Sequence, residues 1–288
     1  MQSLVNAIAF PAPRLPRSFY NETLLARDDL VYLRTSANER IPAVYVRAAL
    51  NGRNGRGFTI LYAHGNAEDI GLHVSFVEAM SKLTGADVLS FEYVGYSLSR
   101  FEGGKASEDA AYRSIDAGWR YLTESRKIPP SRIVVYGRSI GTGPAVDLCA
   151  RKNYHTLSTR EVSSKIFFKA DEGARGLFLQ SPLESGVRCA FGYVSSVVLG
   201  SVDIFRNYEK IDRVECPVAV VHGTNDSVVP CAGAKNLLDQ AKKREEKTNK
   251  PSFVRERWLD GYGHNDMPYD QVFNFLHDFL KDIGGPLP

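Results

Sequence analysis

A chain of 288 residues, 43% hydrophobic and 24% charged, has the length of one large α/β domain and the composition of an ordinary folded protein. Its formal net charge of +3 is too slight to argue for a nucleic-acid partner. The four cysteines, Cys149, Cys189, Cys216 and Cys231, show no C-x-x-C spacing, which argues against metal ligation or a disulfide framework and for free thiols in a reducing compartment.

No apolar run reaches the ~18–20 residues needed to span a bilayer. The longest, 189–202, is broken by Ser195, Ser196, Ser201 and two glycines, and reads as a buried or pocket-lining segment. The N-terminus lacks a basic stretch followed by a cleavable apolar one, and Gln2 excludes myristoylation, so a cytoplasmic protein is expected. Within residues 1–18, Leu4, Val5, Ile8, Ala9 and Phe10 recur at helical spacing before Pro11, Pro13 and Pro16, with Arg14 and Arg17 interleaved. Two readings follow: a segment docked on the domain body, or a peripheral contact with a membrane surface. The first is preferred, because one and a half turns bury little area. A single domain is expected over 19–288.

Residues 30–33 and 41–46 read as an antiparallel pair. After the glycine-rich turn 51–57, the apolar run 58–63 has the character of a strand covered on both faces. From there strands and helices alternate: a helix at 70–83, a strand at 86–91, a helix at 107–125 and a strand at 133–136. After it comes a helix to about 151, then a polar surface insertion at 152–175 without clear period. Strands at 176–180, 218–222 and 253–259 and helices at 231–247 and 269–281 close the chain. The pattern predicts an α/β fold with a mostly parallel sheet covered by helices on both faces. The run Lys242 to Lys247 is read as the solvated end of a helix.

The chemistry concentrates at the fourth of these alternating units. Gly137-Arg138-Ser139-Ile140-Gly141 is G-x-S-x-G between a β-branched strand and a helix, the setting of a nucleophile elbow. A serine hydroxyl is a poor nucleophile and must project from a sharp turn towards a base. Two loops past later strands supply partners: Asp226 in His222-Gly223-Thr224-Asn225-Asp226, and His264 in Gly261-Tyr262-Gly263-His264. Serine, then acid, then histidine, each beyond a strand end, is the chain order of the α/β-hydrolase triad. Glu184 is the rival acid, and the backbone N–H groups of Asn66 and Ile140 are the expected oxyanion donors. His64 and His222, each in a His-Gly pair, are read as structural hydrogen-bonding residues, while His73, His155 and His277 have no partner in view.

The motifs as a set carry a resemblance. His64-Gly65-Asn66-Ala67-Glu68-Asp69, Glu92-Tyr93-Val94-Gly95-Tyr96-Ser97, Tyr136 to Thr142, Gln180-Ser181-Pro182-Leu183, His222 to Asp226 and Gly263-His264-Asn265-Asp266 resemble the α/β-hydrolase-domain proteins of the depalmitoylase group. The likeness spans roughly 19–282. It implies Ser139 as nucleophile, Asp226 as acid, His264 as base, no cofactor or metal, and an S-acylated protein or other acyl ester as substrate. Animal members of that group carry a palmitoylated cysteine cluster near the N-terminus, whereas the first cysteine here is Cys149. For the acyl chain, 189–202 is the expected pocket, with Phe191, Tyr193, Val198 and Leu199 lining it.

Overall fold

The computed structural model describes residues 9–49, 57–151, 173–191, 202–248 and 253–284. Its core is an eight-stranded sheet: β1 (Leu30–Arg34), β2 (Arg40–Val46), β3 (Thr59–Ala63), β4 (Asp87–Phe91), β5 (Ile133–Arg138), β6 (Gly176–Gln180), β7 (Val218–Gly223) and β8 (Val254–Leu259). The spatial order is β1-β2-β4-β3-β5-β6-β7-β8. β2 pairs antiparallel with β1 and β4, and every later pair is parallel. Among the described residues seven α-helices accompany it: α1 (Phe19–Thr23), α2 (Ile70–Thr84), α3 (Glu108–Arg120), α4 (Thr142–Ala150), α5 (Gly186–Phe191), α6 (Cys231–Thr248) and α7 (Tyr269–Ile283).

The sequence pattern explains the layers. All five residues of β3 and of β6 are buried, as runs apolar on both faces must be. Alternation along each strand splits the core in two. Ile60, Tyr62, Val134, Tyr136 and Phe178 pack with Val77 and Met80 of α2 and Phe273 and Phe279 of α7. Their neighbours Leu61, Val135 and Leu177 pack with Ile115 of α3, Val146 of α4 and Leu237 of α6. Each such side chain removed from water contributes about 1.5–3 kcal/mol.

The helix expected at 107–125 is shorter and has a different end. Ser107 caps it by accepting the Ala110 N–H, but after Arg120 the backbone widens into a π turn at Tyr121–Ser125. The register of β3 on both β4 and β5 also bears on function. The chain leaves β3 for β4 on one side and returns to β5 on the other, so the carboxyl ends of β3 and β5 flank the point where winding reverses. Open α/β sheets bind ligands at such a point.

Candidate active site

Ser139 follows β5 directly and has φ +52°, a left-handed conformation that costs a non-glycine residue on the order of 1–3 kcal/mol. The surroundings hold it there. The Thr142 hydroxyl donates to the Ser139 carbonyl at 2.6 Å. A Cβ on Gly137 would lie 2.6 Å from the Gly141 carbonyl oxygen, and one on Gly141 would run into the Ala63 and His64 carbonyls. The turn is thereby pressed against the end of β3, and any side chain at 137 or 141 would open it.

His264 Nε2 stands 2.9 Å from Ser139 Oγ, and its Nδ1 stands 2.7 Å from Asp226 Oδ2. The loops that bring these groups together are stitched to each other: Thr224 N–H donates to the Leu259 carbonyl and Asn225 N–H to the Tyr262 carbonyl, both at 2.9 Å. Gly223 lies so close to the Tyr262 carbonyl that no side chain fits. Asp226 Oδ1 accepts the Val228 and Val229 N–H groups at 2.9 and 2.8 Å. Burial alone would raise the Asp226 carboxyl. Hydrogen bonds from His222, His264 and the Val229 N–H outweigh it and hold the group well below the ordinary carboxylate range.

Asn66 occupies the loop after β3. Its side-chain amide donates to the Ala9 carbonyl at 2.8 Å, and its Oδ1 accepts from Tyr96 Oη at 3.0 Å. Phe10 is buried beside Phe205, with ring centroids 5.9 Å apart, and Arg100 donates to the Leu15 carbonyl at 2.6 Å. Residues 9–15 thus lie against the domain body next to this loop; residues 1–8 are outside the described residues. Arg138 joins the two sides of the site, since it pairs with Glu68 of the Asn66 loop and reaches Asn265 Oδ1, beside His264, at 3.1 Å. Glu68 in turn accepts the Gly65 N–H at 3.1 Å. Beneath the loop, His64 and Glu92 form a fully buried pair at 2.8 Å. Asp69 accepts from Tyr20 Oη at 2.6 Å, and burial together with the Glu92 charge pushes its carboxyl up to about 6.

The structure therefore brings Ser139, His264 and Asp226 into one hydrogen-bonded line, with Asn66 and Ile140 at the two chain segments that meet at the elbow. Glu184 lies elsewhere, paired with Arg188 at 3.1 Å. Phe191 ends α5 with 68% of its surface exposed, while Tyr193, Val198 and Leu199 fall outside the described residues. Most of the insertion expected at 152–175 also falls outside them. Arg138, Glu68 and Glu92 were not singled out from the sequence. All three lie inside the motifs that carry the family resemblance, which is the signal the sequence offers for them. The neighbouring Cys216 thiol, distant in sequence, and burial together push the Cys149 thiol well above its ordinary range. Among the described residues, no cluster of three His, Cys, Asp or Glu side chains is placed to hold a metal ion. No helix among them is long and apolar enough to cross a membrane.

A mostly parallel sheet with antiparallel N-terminal strands and a serine on a strand–turn–helix elbow define an α/β hydrolase. The chain is 31% identical over 263 residues to Alpha/beta hydrolase domain-containing protein 17C of Mus musculus, covering 91% of this chain and 70% of that protein. It is 34% identical over 248 residues to Alpha/beta hydrolase domain-containing protein 17B of Xenopus tropicalis, covering 86% and 73%. The chain belongs to the family of these alpha/beta hydrolase domain-containing proteins, which supports hydrolase activity. No family model matches the chain. Among solved structures, a Pyrococcus furiosus esterase superposes with TM-score 0.64 at 17% identity, covering 95% of this chain and 97% of that one. A propionate-bound esterase of Thermogutta terrifontis gives TM-score 0.62 at 16% identity, covering 93% and 98%. At these identities the likeness is one of fold.

Proposed function

We propose that the chain is a serine hydrolase that cleaves acyl thioesters, removing palmitate from S-acylated cysteines of proteins. The observation that carries the reading is the unbroken line from Ser139 Oγ through His264 to Asp226, at 2.9 and 2.7 Å, with the serine held at positive φ. In the proposed reaction Ser139 Oγ attacks the acyl carbonyl carbon while His264 Nε2 takes its proton. Asp226 fixes the imidazole and stabilises the imidazolium. The tetrahedral oxyanion rests on the N–H groups of Asn66 and Ile140, where removing one donor typically costs about 2.7–4 kcal/mol of transition-state stabilisation. The C–S bond then breaks, His264 returns the proton to the departing thiolate, and water attacks the acyl-enzyme through the same base. The scheme calls for no cofactor.

The thioester substrate follows from the motif resemblance to the depalmitoylase group and from family membership. The apolar run 189–202 is proposed as the acyl site, where each buried methylene is worth about 0.8 kcal/mol. With Phe10 held in the domain body and Arg14 and Arg17 exposed, residues 1–18 are proposed to give at most weak contact with a membrane surface at a cytoplasmic location. A carboxylesterase, lipase or peptidase acting on a small or neutral-lipid substrate is the second reading, its carboxylesterase form favoured by the esterases among the structural neighbours. Fluorophosphonate labelling followed by turnover of acyl thioesters of increasing length separates the two. The expected result is a kcat/KM that rises from C4 towards C12–C16; a maximum at C2–C4 would leave the carboxylesterase.

A further inference from the structure

His222 closes β7 and is fully buried. Its Nε2 lies 2.9 Å from the Val229 carbonyl oxygen and 3.1 Å from Asp226 Oδ2, and its Nδ1 is buried without a hydrogen-bond partner. A carbonyl oxygen only accepts, so Nε2 carries the hydrogen. A second proton on the buried Nδ1 would find no acceptor among the protein groups around it. The ring is therefore the neutral Nε2–H tautomer, donating in a fork to the carbonyl and to the carboxylate. Asp226 Oδ2 is shared by two imidazoles, His264 Nδ1 at 2.7 Å and His222 Nε2 at 3.1 Å, while two backbone N–H groups occupy Oδ1.

We propose that His222 is a positioning residue for hydrolysis at Ser139: its N–H locks the Asp226 carboxylate in the plane that His264 needs and tempers how strongly that carboxylate holds the imidazolium. The inference rests on the serine-hydrolase reading above. Two physical effects follow. Rotating the carboxylate away from His264 would break the His222 and backbone bonds together, so the acid is fixed before substrate arrives. Donation to Oδ2 also draws off part of its negative charge, which lowers the pull on a proton at His264. The other titratable groups facing this cluster are Cys189 on α5 and Cys231 on α6. Burial and the Asp226 charge raise Cys189 to about 11, and burial raises Cys231 against the opposing charge of Lys235, so both thiols stay protonated across the acid side of the profile. Lys235 lies beyond, its Nζ 5.4 Å from the Trp258 ring that itself stands against His222.

The test compares His222→Phe, which keeps a ring but no donor, with His222→Gln, whose amide N–H reaches towards the place of Nε2. Initial rates with a p-nitrophenyl butyrate probe are taken from pH 5 to 9, with circular dichroism and Tm for each variant. His222→Phe is expected to lose about tenfold in kcat at little change in KM, the order lost when a group orienting a functional side chain is removed. The acid limb of its rate profile is expected to move to higher pH, because Asp226 loses a donor that draws off part of its charge. His222→Gln recovers most of both. Should the Phe variant not fold, His222→Asn supplies the same contrast, because its shorter amide stops short of Asp226. A folded Phe or Asn variant with the unaltered kcat and acid limb, or a Gln variant no better than it, overturns the proposal. Fluorophosphonate labelling of the unaltered protein distinguishes the two levels: labelled protein with an indifferent His222 overturns this inference alone, and unlabelled protein overturns the serine-hydrolase reading with it.

Discussion

Of the histidine–carboxylate pairs at the carboxyl end of the sheet, the two shortest hardly differ in length: 2.8 Å for His64–Glu92 and 2.7 Å for His264–Asp226. The first is sealed. Both side chains are fully buried, and the second nitrogen of His64 faces the Gly65 carbonyl at 2.9 Å. Glu92 accepts the Tyr93 and Ile70 N–H groups at 2.8 and 3.1 Å, and the Tyr93 ring covers the imidazole with centroids 4.4 Å apart. Apart from the bond between the two side chains, the polar atoms of that pair hold backbone. In the second pair the free ring nitrogen meets a serine hydroxyl on a strained turn instead of a carbonyl. What separates the sealed pair from the one proposed to react is the partner of the second nitrogen, since a hydroxyl has a proton to give and a carbonyl has none.

The comparison breaks most visibly at the serine. Ser139→Ala is expected to remove fluorophosphonate labelling and to cost on the order of 10⁶ in kcat, the scale of losing a nucleophile that acts as a unit with its base. Asp226→Asn is expected to cost about 10⁴-fold, because the wrong tautomer of His264 is then favoured. Glu184→Gln, which disturbs a pair with Arg188, leaves kcat within a few-fold. Unchanged labelling of Ser139→Ala, or a crippled Glu184→Gln beside a normal Asp226→Asn, would reverse the assignment.

For the sealed pair the same kind of change acts on stability. His64→Ala leaves the Glu92 carboxylate buried opposite a hole, and breaking a buried pair from one side costs about 3–5 kcal/mol. Urea unfolding reads this directly. A loss below about 1 kcal/mol would mean that the pair is no more than an exposed ion pair in its energetics, and the contrast with His264 would lose its basis.

The sequence makes one part of this arrangement legible and hides the other. Strands β3, β5 and β7 declare themselves by near-continuous apolar runs, and Ser139, Asp226 and His264 each lie just beyond a strand end, in positions fixed by local chain geometry. The placement of β4 between β2 and β3 depends on long-range pairing, which no local pattern encodes. Glu92 looks like any glutamate until the fold closes over it. His222 sits in the same His-Gly setting as His64, yet the fold turns it towards Asp226, four residues on, through a loop whose shape is set by the Val228 and Val229 N–H groups. Phe10 belongs to a stretch whose helical spacing suits a membrane face as well as a core, and only its contact with Phe205 places it inside.

The smallest expected effect sharpens the comparison through two aspartates displaced in opposite directions. Burial and the Glu92 charge raise Asp69 to about 6, whereas Asp226 is held well below its ordinary 3.8 by its donors. Asp226 therefore contributes stability that is complete above pH 4 and is lost only as the pH falls further. Asp69 does the reverse. Between about pH 4 and 6 the native chain keeps a proton that the unfolded chain has released, so stability declines as pH rises through that window and is level above it. From pH 4.5 to 6.5 the decline from this group amounts to about 2 kcal/mol, by the value of one pKa unit. Asp226 is ionised in both states across the same interval and stays silent, which isolates Asp69. Asp69→Asn keeps the oxygen that caps α2 at Gly71 and turns an amide N–H towards the Tyr20 hydroxyl, which then accepts, but it cannot titrate. Urea unfolding of the two proteins at both pH values is expected to show the unaltered chain losing that increment relative to the variant. Parallel behaviour would show that Asp69 ionises in the folded protein as it does in water, and that the sealed side of the sheet is wetter than its geometry indicates.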